Sequence, residues 1–94
     1  YKKIEVEVEN QEDALLAASA GVNIIMLDNF SPKEIINTVD RLKKSKLRKH
    51  VKLEASGGIN EKNIEVYAKT GIDMISVGEI TNAVTGIDFS LEIP

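Results

Sequence analysis

The chain has no cysteine, no tryptophan, a single histidine, two prolines and few aromatic residues (4%). Without cysteine there is no disulfide framework and no thiolate metal site. His50 stands just before an apolar run with no second ligand candidate nearby, and no chemistry is assigned to it. No apolar stretch approaches the ~20 residues of a membrane span, and the marks of a signal peptide are missing. Positive charge is not in excess either: 12 Lys and Arg face 15 Asp and Glu, for a formal net charge of −3. That balance argues against a general nucleic-acid binder or a membrane-surface protein. The chain also lacks an initiating methionine. It opens on Tyr1 and enters strand-like sequence within a few residues, as a piece of a longer protein would.

What is present is ordinary for a soluble domain: 94 residues, 43% hydrophobic and 29% charged. Lys3 to Glu9 alternates apolar and acidic residues, the period of a strand. Asn10, with Asp13 three positions on, predicts a capped helix through Ala20, stopped by Gly21. Val22 to Leu27 is a short apolar run, expected of a strand buried on both faces, and it ends at Asp28-Asn29. Ser31-Pro32-Lys33-Glu34 predicts a helix start with a capping box, and Ile35, Ile36, Val39 and Leu42 supply its buried stripe. The basic run Arg41 to His50 is expected to close that helix, where cations complement the macrodipole. A solvated basic face accounts for it better than an anion patch, since no aromatics are interleaved.

The stretch Leu53-Glu54-Ala55-Ser56-Gly57-Gly58-Ile59-Asn60 then reads as strand, glycine turn and N-cap, with Ile64, Tyr67 and Ala68 at helical spacing beyond it. Two adjacent glycines allow positive φ and leave their N–H groups uncovered. A Ser-Gly-Gly turn between a parallel strand and a helix suits a phosphate. For Gly-Gly taken alone, a tight βα turn that binds nothing is the simpler account.

The second half repeats the first. Asn10 answers to Asn60 and Gly21 to Gly71, and residues 20–27 answer to 70–77. Strand, capped helix, glycine stop and buried strand recur in each half, which implies βαβ units on a parallel sheet. The fold class is therefore α/β: a partial (β/α) barrel, about half of a TIM-like barrel with parallel strands. The whole chain, 1–94, is expected to be the C-terminal portion of such a barrel, with repeats at 1–50 and 51–86. A terminal strand at 87–93 is expected to reach back toward a missing part.

Functional residues of such folds stand at the C-terminal ends of the strands. The first repeat offers Glu7 and Asp28 there; the second offers Ser56-Gly57-Gly58 and Val77-Gly78. Aligning the repeats sets Glu7 opposite Gly57 and Asp28 opposite Gly78. Carboxylates accept hydrogen bonds from sugar hydroxyls or hold Mg²⁺, and glycine N–H groups suit phosphate, so the combination asks for a phosphorylated sugar. Glu5, Glu7 and Glu9 share one strand face, and pattern alone does not choose among them.

Glu5-Val6-Glu7-Val8-Glu9, Ile25-Met26-Leu27-Asp28-Asn29, Leu53 to Ile59, Tyr67 to Asp73 and Ile75-Ser76-Val77-Gly78 together resemble successive blocks of quinolinate phosphoribosyltransferase. The blocks come in family order and cover nearly all of the chain. The resemblance implies the C-terminal third of an enzyme that joins quinolinate to phosphoribosyl pyrophosphate, giving nicotinate mononucleotide, CO2 and pyrophosphate. It implies that Glu7 and Asp28 contact the ribose hydroxyls and the Mg²⁺-bound diphosphate region. Ser56, Gly57, Gly58, Val77 and Gly78 would hold the phosphate. It further implies Mg as cofactor, a cytoplasmic homo-oligomer as the full-length protein, and no nucleic-acid or membrane partner. Asn82 stands where the family usually has a histidine, and Glu79 where a small residue is common. The cations that bind quinolinate belong to the family's earlier two-thirds, so the fragment alone is expected to be inactive. Two other readings compete: a generic phosphate-binding (β/α) barrel lyase or isomerase, and a non-catalytic half-barrel assembly module.

Overall fold

The computed structural model describes residues 3–77 and 89–93. Four strands, β1 (Glu5–Val8), β2 (Ile24–Asp28), β3 (Lys52–Ser56) and β4 (Met74–Val77), lie side by side in chain order and are all parallel. Between them run α1 (Gln11–Ser19), α2 (Pro32–Lys44) and the short α3 (Ile64–Ala68). Sequential order with a helix in every crossover gives an α/β fold of the kind a barrel wall requires.

A fifth strand, β5 (Phe89–Glu92), pairs antiparallel with β4, Met74 opposite Glu92 and Val77 opposite Phe89. The terminal strand therefore does not reach away from this chain. It covers the free edge of β4, and Ile93 N–H adds a hydrogen bond to the Asp73 carbonyl at 2.8 Å.

Local chemistry explains where the helices begin and end. The Asn10 side chain accepts the Asp13 N–H at 2.8 Å, and Ser31 and Glu34 form a reciprocal capping box at 3.1 and 3.0 Å. Each of α1 and α2 stops in a pair of backward hydrogen bonds: Gly21 N–H to Ala18 and Val22 N–H to Ala17 for α1, Lys46 N–H to Lys43 and Leu47 N–H to Leu42 for α2. This motif needs a left-handed residue, and Gly21 (φ 87°) and Lys46 (φ 61°) supply it. The basic run thus does not close α2 as a whole. The helix ends at Lys44, and Arg48–His50 form a separate 3-10 turn.

The third helix starts later than its sequence twin. Asn60 Oδ1 accepts the Lys62 N–H at 2.8 Å instead of capping a helix, and Asn63 precedes the first helical residue without a side-chain cap. Along α2 the buried residues are Ile35, Thr38, Val39 and Leu42, while Ile36 faces out at 51% exposure. Thr38 fills the stripe position expected of Ile36, and its hydroxyl donates to the Glu34 carbonyl at 2.8 Å.

The core lies on one face of the sheet. Val8, Ile25, Leu27, Leu53, Ala55, Ile75 and Val77 alternate toward the helices and pack with Ala14, Ala18, Phe30, Ile35, Leu42 and Tyr67. The opposite face carries Glu5, Glu7, Ile24, Met26, Asp28, Lys52, Glu54, Ser56, Met74 and Ser76, in keeping with the period-two alternation. All but Glu54 are exposed or half-buried. It is on this polar face that the candidate chemistry stands.

Candidate functional site at the C-terminal ends of the strands

Register decides which polar residues meet. Glu7 pairs with Met26 and Met26 with Glu54, and one step beyond, Asp28 pairs with Ser56. Neighbouring strands are ~4.8 Å apart, so Asp28 and Ser56 are direct neighbours and Glu7 lies diagonally across from Asp28 on the same face. Glu5 sits two residues lower, in the row of Ile24 and Lys52. Glu9 lies beyond the last residue of β1. The register therefore separates three glutamates that alternation alone leaves equivalent, and only Glu7 shares the level of Met26.

The sheet also corrects the alignment of the two repeats. Glu5 pairs with Ile24, and Glu54 pairs with Met74. Ile24 and Met74 are equivalent positions, so Glu5 answers to Glu54 and Glu7 to Ser56. Glu7 does not fall opposite Gly57; a one-residue slip separates strand equivalence from helix equivalence.

Glu54 is the site residue that sequence reasoning passed over. It is 6% exposed although it projects from the polar face, and it is not without a partner. The signal was the alternation itself: Leu53 and Ala55 point to the core, which sends Glu54 to the side of Glu7 and Asp28. The row Glu7–Met26–Glu54 thus presents two carboxylates flanking a thioether, with Asp28 and Ser56 above.

The glycine turn divides into two unlike halves. Gly57 has φ 89°, and a Cβ placed on it would meet Asn29 Oδ1 at 2.5 Å and Asn29 Cγ at 3.0 Å. Gly58 has φ 72°, and a Cβ there would meet nothing within 4 Å. Packing against Asn29 therefore accounts for Gly57 by itself, while Gly58 opens onto free space. The turn is braced from below, since Asn63 Nδ2 donates to the Gly58 carbonyl at 2.8 Å and Asn60 N–H to Asn63 Oδ1 at 2.8 Å.

Val77 has its side chain in the core, 4% exposed, and its backbone level with Phe89 of β5. As a ligand contact it has only main-chain atoms to offer. Gly78, Glu79 and Asn82 lie outside the described residues.

The electrostatics of the two sheet ends differ. The C-terminal ends carry Glu7, Asp28 and Glu54. At the other end a cleft of about 670 Å³ is lined by Lys43, Lys46, Arg48 and Lys49, with Val39, Gly71 and Asp73. Arg48 spends its charge on Asp73 at 3.0 Å. Arg41 ties α2 to α1 through Glu12 at 3.2 Å. A backbone hydrogen bond and the Arg41 guanidinium hold the Glu12 carboxyl below its ordinary range. Among the described residues no cluster of three or more His, Cys, Asp or Glu forms a ready metal cage, and no helix is long and apolar enough to cross a membrane.

Comparison with known proteins addresses the same residues. Residues 1–92 match the family described as quinolinate phosphoribosyl transferase, C-terminal domain. A probable carboxylating nicotinate-nucleotide pyrophosphorylase of Methanothermobacter thermautotrophicus is 53% identical over 92 residues, covering 98% of this chain and 33% of that protein. The carboxylating nicotinate-nucleotide pyrophosphorylase of Rattus norvegicus is 43% identical over 91 residues, covering 97% of this chain and 30% of the rat protein. Among solved structures, the nicotinate-nucleotide pyrophosphorylase of Francisella tularensis superposes with a TM-score of 0.74 at 45% identity, over 93% of this chain and 30% of that one. The chain spans about a third of the length of these relatives. Fold, blocks and coverage agree, and the chain belongs to the quinolinate phosphoribosyltransferase family, of which it forms C-terminal domain sequence.

Proposed function

We propose that this chain is the acid- and phosphate-bearing part of a full-length enzyme that transfers phosphoribosyl from phosphoribosyl pyrophosphate to quinolinate, releasing pyrophosphate and CO2 and giving nicotinate mononucleotide. The observation that carries the reading is the juxtaposition of Glu7, Asp28, Ser56 and Gly58 at one end of one sheet face. A ribosyl phosphate needs those partners: acceptors for its hydroxyls, and donors uncovered by side chains for its phosphate. As the diphosphate departs, the anomeric carbon gains positive charge, which positioned carboxylates stabilise. Ser56 and the Gly58 N–H hold the phosphate end, with Gly78 as a further candidate.

Mg²⁺ fits the donor set in a limited way. Glu7 and Asp28 offer hard carboxylate oxygens, and Mg²⁺ commonly takes one or two carboxylates with water and substrate phosphate completing its shell. When bound it would neutralise charge on the leaving diphosphate. Glu7, Asp28 and Ser56 do the positioning.

The polar sheet face needs the rest of a (β/α) barrel to close over it. Exposed Leu16, Ile36 and Val66 on the three helices give apolar contacts for a homo-oligomer. Phosphorylated substrates do not cross membranes unaided, so the cytoplasm is the compartment, and no nucleic-acid or membrane partner is required.

In the full-length protein, Glu7→Gln and Asp28→Asn are expected to lower turnover by ~10²–10³, with Glu5→Gln close to wild type. Steady-state rates with quinolinate and phosphoribosyl pyrophosphate check this. Equal effects at Glu5 and Glu7 would overturn the assignment.

A further inference from the structure

Asn29 stands in the middle of this site and has no task in the chemistry above. It follows Asp28 directly, outside β2, and is exposed. Its backbone is left-handed, with φ 59°. Asparagine is one of the few side chains that tolerates this region. Its N–H donates to the Ser56 carbonyl at 2.8 Å. Its side-chain amide occupies the space that a Cβ on Gly57 would fill, with Oδ1 at 2.5 Å from that position. Gly57 is itself left-handed, at φ 89°. Two left-handed residues from the ends of adjacent strands therefore interlock, one by its side chain and the other by the lack of one.

We infer that Asn29 is a positioning residue: it sets the Ser56-Gly57-Gly58 turn relative to Asp28 and so fixes the span between the hydroxyl-binding and phosphate-binding ends of the ligand. The inference rests on the phosphoribosyl reading for the ligand, though the coupling of Asn29 to the turn stands on geometry alone. A sugar phosphate is short and stiff. Its hydroxyls and its phosphate meet their partners together only if the two strand ends hold a constant offset, and small displacements in such sites are costly. The Asn29 N–H on Ser56 fixes the height of that offset. The amide against Gly57 fixes the direction in which the Gly58 N–H points.

The test uses the full-length protein. Asn29→Gly keeps the left-handed backbone and removes the amide; Gly57→Ala puts a methyl group into the amide. Binding of nicotinate mononucleotide and of inorganic phosphate is measured by calorimetry, beside kcat, both KM values and a urea midpoint. Asn29→Gly is expected to weaken both ligands by about tenfold or more. It should raise KM for phosphoribosyl pyrophosphate but not for quinolinate, and leave the urea midpoint close to wild type because the residue is exposed. Gly57→Ala should weaken phosphate in the wild-type background and do so markedly less in the Asn29→Gly background. Wild-type affinity in Asn29→Gly, or the same Gly57→Ala penalty in both backgrounds, overturns the inference. A wild-type protein that binds phosphate but not the mononucleotide would overturn the phosphoribosyl reading, with the coupling still decided by the phosphate arm. Binding of neither would overturn both.

Discussion

Asp73 is the residue whose removal should most disturb the frame beneath the site. Its Oδ2 accepts the Leu53 N–H at 2.8 Å and an Arg48 Nη2–H at 3.0 Å. Arg48 also donates to the Gly71 carbonyl at 2.7 Å and the Val51 carbonyl at 3.0 Å. One carboxylate therefore joins the start of β3, the 3-10 turn and the start of β4. In the first repeat Asn23 has the equivalent post: its Oδ1 accepts the Ile4 N–H at 2.8 Å, with no arginine beside it. The hydrogen bond from Leu53 to a charged acceptor is worth about 1.5–3 kcal/mol. The ion pair adds less, because the Arg48 and Asp73 side chains are 17% and 36% exposed and solvent screens them; about 0.5 kcal/mol is a fair share. Asp73→Ala should then cost about 2–3 kcal/mol. Arg48 is not orphaned by it, since two carbonyls remain as acceptors. Asp73→Asn keeps an acceptor for Leu53 and loses only the charge, so it should cost about 1 kcal/mol, and Asn23→Ala about the same. Urea denaturation of the full-length variants measures the order, and hydrogen exchange at the Leu53 amide locates the loss. If Asp73→Asn proved as damaging as Asp73→Ala, the charge pair would dominate and the reasoning from the Leu53 bond would fail.

Two further changes test the frame. Lys46→Gly should stabilise the protein by about 0.5–1 kcal/mol, because it relieves a side chain from φ 61° at the end of α2, where α1 uses Gly21; an unchanged or lower urea midpoint would contradict this. Tyr67→Phe should cost about 1–2 kcal/mol, since the buried Tyr67 hydroxyl donates to the Phe30 carbonyl at 3.0 Å and leaves it unpaired when removed; a neutral result by the same measurement would count against that bond.

Much of this architecture is written in single residues. The caps at Asn10 and at Ser31-Pro32-Glu34, and the stop at Gly21, are local, so each is read correctly without tertiary knowledge. The limits also have local causes. Asn60 and Asn63 compete for one helix start, and the winner depends on Asn63 reaching the Gly58 carbonyl. Ile36 and Thr38 compete for one core position, and a threonine that satisfies its own hydroxyl on Glu34 is as good a core residue as an isoleucine. The direction of β5 is not encoded in its alternation, which is the same for parallel and antiparallel neighbours. Glu7 and Asp28 are legible as strand-end acids, and alternation sends Glu54 to their face, but that Glu54 stands in the row of Glu7 follows only from the stagger of β1, β2 and β3.

On the proposed reading, Ser56-Gly57-Gly58 would serve structure and binding at once without its residues sharing the work equally. A phosphate-binding turn and an empty turn both call for glycine, so the presence of two glycines does not discriminate. The surroundings do. Gly57 would be required even with no ligand, because Asn29 takes the space of its side chain. Gly58 faces no such neighbour, and its left-handed backbone alone could be met by asparagine. A side chain at 58 would, however, project into open space at the turn, where on the proposed reading a phosphate has to approach. The phosphate reading therefore leans on Gly58 and Ser56, and Gly57 belongs to the clamp that aims them.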